Sequence, residues 1–400
     1  MKFAVDEGII NLSYVQEQIN MKKREEILNK HPYKISQGSD GYWRTYIPDK
    51  ERGRRMIKKV VKKDVEDVVI NYYKKLNEES NYIFKNSFLL WIEKQKKYGV
   101  SNNTLQKYNS DYIRYFQGTE FENMDIRKMN EEDITAFIIN RVTNLSLKEK
   151  AGNTLWGYIS GTFKHARTTR MISENPCEYV EKRNFAKFYD RSRKTVQERT
   201  INDNDMILLL NEIKKSHQDK PEYIQSYAVE LAIYTGMRVG EIAALRWKNV
   251  RNDLGVIIIC ESEKYDRGKK EFIISSTKTG KGREFPISEE INKILSEVKK
   301  IEIKNGFIGE FVFQNESGRI HARSISHCMR YKCHQAGIDV KGIHALRRTL
   351  NSKMRCAGIS SVIAASLLGH SEQVNAQNYT YDTSDMEYKK EIISKISKIV

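Results

Sequence analysis

The stretch "YTGMRVGEIAALRW", Tyr234 to Trp247, holds a glycine where one helix should break and an arginine where the next should begin. Gly236 is the break, and Arg238 opens the helix that follows; guanidinium groups and helix N-termini both bind phosphate. Arginines near helix starts are common, so the stretch gains meaning only from what accompanies it. In "SSTKTGKGREFPI", Lys278 stands at an expected hairpin tip beside Gly280 and Gly282. In "HALRRTL", His344 precedes Arg347 by three residues and Arg348 by four, and either arginine can share the histidine's helix face. In "LLGHSEQVNAQNYTY", a short helix ends at Gly369, His370 follows in a loop, and Tyr379 comes nine residues later in a polar segment.

The 400 residues exceed one compact core, so two or three domains are expected. Hydrophobic residues make up 39% and aromatics 10%, which argues against general disorder. Lys and Arg number 69 against 52 Asp and Glu, a formal charge of +17 that calls for a polyanionic partner. No apolar run approaches the roughly 18–20 residues that span a bilayer. The opening "MKFAVDEGIINLSYVQEQ" has acids where a secretory signal needs a basic and then an apolar stretch. Nucleic acid is therefore the expected partner rather than a membrane surface. Five cysteines without CxxC spacing suit a reducing cytoplasm. "HCMRYKCH" does not make a zinc site: on a helix His327 and His334 lie about 10 Å apart along the axis. No metal or other cofactor is expected.

Along the chain, Tyr33–Ile35, Tyr42–Ile47 and Arg54–Val60 read as three short strands separated by "GSDG" and "PDKERG" turns. Asp64 can cap a following helix with Val65, Val68, Val69, Tyr72 and Tyr73 inward. Nine Lys/Arg and two acids fall between Tyr42 and Lys63, with aromatics interleaved, so this sheet is expected to lie on DNA. Its candidate contacts are Tyr42, Trp43, Arg44, Tyr46, Arg54, Arg55 and Lys58. Residues 81–180 read as a helical bundle whose aromatics belong to its core. A basic segment, "KRNFAKFYDRSRKTVQERT", reads as a linker. The last block mixes helices with a three-stranded meander formed by "GVIIICESEKY", "KKEFIISSTKT" and "KGREFPIS".

Taken together, Arg238, Lys278, His344, Arg347, His370 and Tyr379, in that order and spacing, resemble the signature of the tyrosine recombinase (integrase) family. The likeness covers residues 200–382 strongly and the helical block more loosely. The N-terminal sheet resembles the arm-binding domain of integrases from conjugative transposons and lambda-type phages. The resemblance implies a multidomain chain: an arm-binding sheet and helix (1–78), an all-α core-binding bundle (79–186), and a mainly α catalytic domain with a three-stranded antiparallel insert and a C-terminal helix (187–400). It implies double-stranded DNA with core and arm-type sites as partner. It further implies a tetramer on DNA with exchange of C-terminal helices, an excisionase and a host DNA-bending protein, at the bacterial nucleoid.

The implied reaction explains the residue types. A phosphodiester in its five-coordinate transition state gathers negative charge, which Arg238, Arg347 and His370 would meet with N–H donors. Tyr379 would attack, with Tyr381 its competitor in the same loop; a tyrosine hydroxyl with a reference pKa near 10 gains from a nearby base. The resemblance gives that role to His344, proton donation to the departing 5′-oxygen to Lys278, and orientation of His344 to Glu241. Two alternatives share part of the pattern. A type IB topoisomerase or hairpin-forming resolvase would use the same tyrosine, and an architectural DNA-binding protein would have the charge without the six residues in order.

Overall fold

The computed structural model describes residues 12–49, 52–277, 280, 282–369, 372–373, 390 and 394. It is mainly helical with small sheets and divides into two compact units, Met1–Arg191 and Ser192–Val400. The first two expected domains thus share one unit, and the second unit begins five residues later than the boundary at 186/187.

The first unit opens with α1 (Leu12–Asn29), then β1 (Ser36–Gln37), β2 (Trp43–Asp49), β3 (Gly53–Lys59) and α2 (Lys62–Asn81). The strands pair antiparallel in the order β1-β2-β3. The first strand lies just beyond the expected Tyr33–Ile35, because the tight turn closed by the Gly38 N–H on the Tyr42 carbonyl (2.9 Å) sets its register. The helix expected to start after Asp64 begins at Lys62. Val65, Val69 and Ile70 are buried on the same side as Thr45 and Ile47 of β2. Arg24 of α1 binds Glu66 (3.0 Å) and Asp67 (2.5 Å) of α2. His31 bridges sheet and helix, with Nε2 2.9 Å from Thr45 Oγ1 and Nδ1 3.2 Å from the Tyr73 hydroxyl.

Four longer helices follow: α3 (Phe84–Lys97), α4 (Asn102–Tyr115), α5 (Glu131–Asn144) and α6 (Glu149–Thr168). Their limits follow from local chemistry. Gly99 takes φ +77° beyond α3, and Asn130 and Asp133 exchange side-chain and backbone bonds at the start of α5. Phe84, Phe88, Phe116 and Phe163 are fully buried, so the aromatics make the core rather than a base-stacking platform.

The second unit contains α7 (Asp203–Asp219), α8 (Ile224–Thr235) and the short α9 (Val239–Ala243). Helix α8 is apolar on nearly every side, which fits only a helix buried all round. Strands β4 (Val250–Arg251), β5 (Val256–Ile259), β6 (Glu261–Asp266), β7 (Glu271–Ser276) and β8 (Arg283–Pro286) come next. After them run α10 (Glu289–Asn305), the pair β9 (Gln314–Asn315) and β10 (Gly318–Arg319), then α11 (Ala322–Gln335), α12 (His344–Cys356) and α13 (Ser361–Leu368). Helices α7, α10, α11 and α12 all pack on α8.

The β insert differs from the expected meander. Strand β6 pairs with β7, whereas β8 pairs with β5 (Ile257 opposite Phe285) and not with β7. The turn of the β6–β7 hairpin is therefore at Arg267–Lys270. The Gly-rich "TGKG" reads as a turn, but "DRGKK" supplies the turn that closes the ladder. Lys278, His370, Tyr379, Tyr381 and the C-terminal tail from Met386 lie outside the described residues, apart from Lys390 and Ser394.

Two glycines of α6 test the packing. An ideal Cβ at Gly152 would stand 2.2 Å from Tyr189 Cε1, whereas one at Gly157 meets nothing within 4 Å. Gly157→Ala should stabilise the protein by about 0.5–1 kcal/mol through helix propensity. Gly152→Ala should destabilise it by about 1–3 kcal/mol through overpacking. Thermal unfolding of the two variants checks this, and equal shifts would contradict the close approach of Tyr189.

Candidate active site

Helix α8 ends at Thr235, and Gly236 takes the left-handed conformation (φ +58°) that turns the chain toward Arg238. An ideal Cβ at Gly236 would stand 2.9 Å from Leu368 and 3.2 Å from Leu350, so the turn is also packed tightly. Arg238 precedes α9 as expected. Helix α9 has only five residues, so what this turn presents to a ligand is the Arg238 side chain, 40% exposed, rather than a helix end.

Glu241 holds Arg238 in place. The Arg238 N–H donates to Glu241 Oε2 (2.9 Å), and Arg238 Nη1 donates to Oε1 (2.8 Å). Arg283 of β8 grips the same carboxylate, Nη2 to Oε2 at 2.6 Å and Nη1 to Oε1 at 3.1 Å. Glu241 is 2% exposed. Burial pushes its carboxyl upward, but the Arg283 and Arg238 contacts outweigh that and bring it to about 2. Arg283 is the member of this cluster that the sequence reading missed. Its signal was a charged residue at the start of a strand otherwise read for its turn.

Helix α12 presents the His344 and Arg347 pair. Arg347 is 1% exposed and donates through Nη1 to the Gly236 carbonyl (2.7 Å) and through Nη2 to the Leu368 carbonyl. It therefore staples the turn before Arg238 to the end of α13. Arg348 remains half-buried, its Nε without a partner. The structure thus settles which arginine joins the cluster. Burial, followed by the charges of Arg348, Arg347 and Arg238, lowers His344 to about 4, so its imidazole is neutral at physiological pH.

Helix α13 closes on Gly369 (φ +66°), as the "LLGH" reading expected. Arg283 Nε donates to the Leu367 carbonyl (2.9 Å), and Arg238 Nη2 donates to the Gly369 carbonyl (3.2 Å). An ideal Cβ at Gly369 would meet Arg283 Nη1 at 2.9 Å. Four of the expected residues (Arg238, Glu241, His344 and Arg347) therefore converge at the end of the chain segment that leads into His370.

Residues 199–385 match the model of the phage integrase family, a span that includes every residue of this cluster. The chain carries a domain of that family and resembles tyrosine recombinases. It is a tyrosine-type site-specific DNA recombinase. A tyrosine recombinase of Thermosipho africanus is 23% identical over 285 residues, covering 70% of this chain and 89% of the relative. Among solved structures, the Tn1549 transposon integrase in complex with a circular intermediate DNA aligns with TM-score 0.60 at 17% identity, over 77% of this chain and 99% of the other. A lambda integrase tetramer bound to a Holliday junction aligns with TM-score 0.53 at 16% identity, over 84% and 95%. At these identities the structures share the fold.

The basic sheet of the first unit splits its expected contacts between two faces. Arg44 lies opposite Lys58, Tyr46 opposite Met56 and Pro48 opposite Arg54, all on the outer face. Arg54 stacks over Tyr46 at 4.5 Å and Lys58 over Tyr42 at 4.2 Å. Trp43 and Arg55 share the other face with Thr45 and Ile47, because alternate residues of a strand point oppositely. Trp43 is covered there by Lys62, whose Nζ lies 5.4 Å from the ring.

The arginine–carboxylate cluster carries a prediction. Arg283→Met leaves Glu241 buried with one cation fewer and should cost about 3–5 kcal/mol in urea unfolding. Adding Glu241→Gln should recover much of that loss, because the uncompensated charge is gone. The folded pKa of Glu241 lies below its ordinary 4.5, so its stabilisation is full above that pH and is lost as pH falls toward 2. Strictly additive losses in the double variant would count against a shared carboxylate.

Proposed function

We propose that this recombinase integrates and excises a mobile DNA element through a 3′-phosphotyrosine intermediate. The observation that carries the reading is the convergence of Arg238, His344 and Arg347 on the segment that runs into His370 and Tyr379. The likeness to a transposon integrase supports a mobile element as the substrate. Tyr379 Oη attacks the scissile phosphorus, and the bond to the 5′-oxygen breaks. His344, neutral at physiological pH, takes the tyrosine proton, and Lys278 supplies one to the 5′-oxygen. Arg238, Arg347 and His370 meet the charge that develops on the non-bridging oxygens; a donor of this kind is worth on the order of 10²–10³ in rate. The phosphotyrosine keeps the bond energy, so rejoining reverses the same steps without ATP.

In this reading residues 1–78 bind arm-type sites, 79–186 bind the core site, and 187–400 carry out the chemistry. Four copies act on two DNA partners and exchange C-terminal helices, with an excisionase and a host bending protein setting direction. The lambda integrase tetramer on a Holliday junction supports the stoichiometry.

On a nicked duplex from the junction of the element's circular form, the protein should become covalently attached. Tyr379→Phe should abolish attachment with little change in binding, while Tyr381→Phe should retain it. Attachment that survives Tyr379→Phe and disappears in Tyr381→Phe would reassign the nucleophile. Chelator should leave the reaction intact, and dependence on added magnesium would contradict the mechanism.

The sheet gives a separate expectation. Arg44→Ala with Lys58→Ala should reduce the slope of log affinity against log salt for arm-type DNA by about 2. Trp43→Ala should leave that slope unchanged, since its ring lies on the other face. An unchanged slope in the double variant would remove the outer face as a DNA contact.

A further inference from the structure

A second buried carboxylate lies outside this cluster. Glu263 sits in the middle of β6, and it is the only buried residue of the β6–β7 ribbon: the remaining positions of both strands are half-buried or exposed. A two-stranded ribbon is normally anchored by apolar side chains on one face. Here the deep anchor is an acid. Its side chain, 1% exposed, accepts from Arg319 Nη1, from His321 Nδ1 at 2.9 Å and from the Ala322 N–H at 2.9 Å. Those donors belong to β10 and the start of α11.

Both partners make a second contact. Arg319 Nη1 reaches the Ala243 carbonyl at the end of α9 (3.4 Å), and the His321 ring stacks on Phe272 of β7 at 3.8 Å and 12°. The backbone of Glu263 presses on α9 as well. An ideal Cβ at Gly240 would stand 2.5 Å from the Glu263 carbonyl oxygen, a distance only glycine permits. One residue therefore fixes the ribbon against the helix that follows Arg238. The ladder runs from Glu263 opposite Ile274 to Glu261 opposite Ser276, and then to the Thr277 N–H on the Cys260 carbonyl (3.1 Å). Lys278 is the next residue in the chain.

We infer that Glu263, held by Arg319, His321 and the Ala322 amide, is a positioning residue that sets the ribbon so that Lys278 meets the departing 5′-oxygen. The inference rests on the assignment of Lys278 as proton donor. Glu263 touches no reacting atom; it acts through the ladder, and a displacement of about 1 Å at a proton donor can cost on the order of 10² in rate.

The chemistry of the leaving group provides the test. With oxygen, the breaking P–O bond needs a proton. With sulfur at the bridging 5′ position, the P–S bond releases a thiolate, whose conjugate acid has a pKa near 8.5, and no proton is required. Full-length wild type, Glu263→Gln, His321→Phe and Lys278→Ala are compared on a nicked junction duplex. It is made once with oxygen and once with sulfur at the scissile position mapped by wild-type attachment. His321→Phe keeps the stack on Phe272 and removes the bond to Glu263, so it carries the test if Glu263→Gln fails to fold.

Glu263→Gln is expected to form covalent complex about 10²-fold more slowly on oxygen and within about threefold of wild type on sulfur, with DNA affinity unchanged. His321→Phe should show a smaller loss, likewise erased by sulfur. An equal defect on both substrates, or none on oxygen, overturns the inference. Lys278→Ala separates the two levels. If sulfur fails to rescue it, the lysine is not the proton donor; if sulfur rescues it but not the Glu263 and His321 variants, the donor stands and the positioning role falls.

Discussion

A carboxylate buried to 2% exposure must be paid for by cations, and Glu241 obtains them from Arg238 and Arg283. Those arginines come from different parts of the chain, one beside α9 and one on β8. Each then spends a further donor on the end of α13, Arg238 on the Gly369 carbonyl and Arg283 on the Leu367 carbonyl. The electrostatic need of one acid thus brings together three segments spread over 131 positions of sequence, from Arg238 to Gly369. Arg347 closes the same assembly from α12 by binding the Gly236 and Leu368 carbonyls. Polar contacts of this kind have narrow geometry, which apolar packing alone would not impose.

Glycine is the counterpart of those arginines. At Gly236 and Gly369 the chain needs positive φ, and at both an added Cβ would strike a neighbour from another segment. At Gly240 the backbone is ordinary, yet the approach of the Glu263 carbonyl excludes any side chain. These three glycines are thus points where chain segments touch. Gly157, with nothing near it, shows that the residue type alone does not mark such a point.

Much of this was legible beforehand, for identifiable reasons. Helix limits are local, so Gly236 and Gly369 announced them through turns that need no tertiary information. The Arg238, His344 and Arg347 cluster was legible through spacing, although helix geometry left Arg347 and Arg348 equivalent until burial separated them. Strand partners were less legible. Alternation marks β8 as a strand but does not say that it pairs with β5 across the β6–β7 hairpin. Arg283 was missed for the same reason, since its partner Glu241 lies 42 positions away. The two faces of the N-terminal sheet were within reach of sequence alone: strand parity separates Trp43 and Arg55 from Arg44, Tyr46, Arg54 and Lys58.

The use of donors in the DNA-free protein bears on how the site works. Arg238 and Arg347 hold carbonyls and a carboxylate, so the fold itself orients their guanidinium planes. A guanidinium has five N–H groups, so internal bonds can fix its plane while the remaining groups face a ligand. Orientation gained during folding need not be gained again in the transition state, which is the condition under which fixed donors accelerate a reaction. Burial, and after it the same positive field, lowers His344 to about 4 and keeps its imidazole neutral. A neutral imidazole beside cations can accept the tyrosine proton, but the field makes it a weaker base than free histidine. The arginines that favour charge on phosphorus therefore oppose charge on the histidine. In the proposed mechanism the two demands are separated in time, since the phosphate carries its negative charge throughout while the histidine holds the proton only between the two transfers.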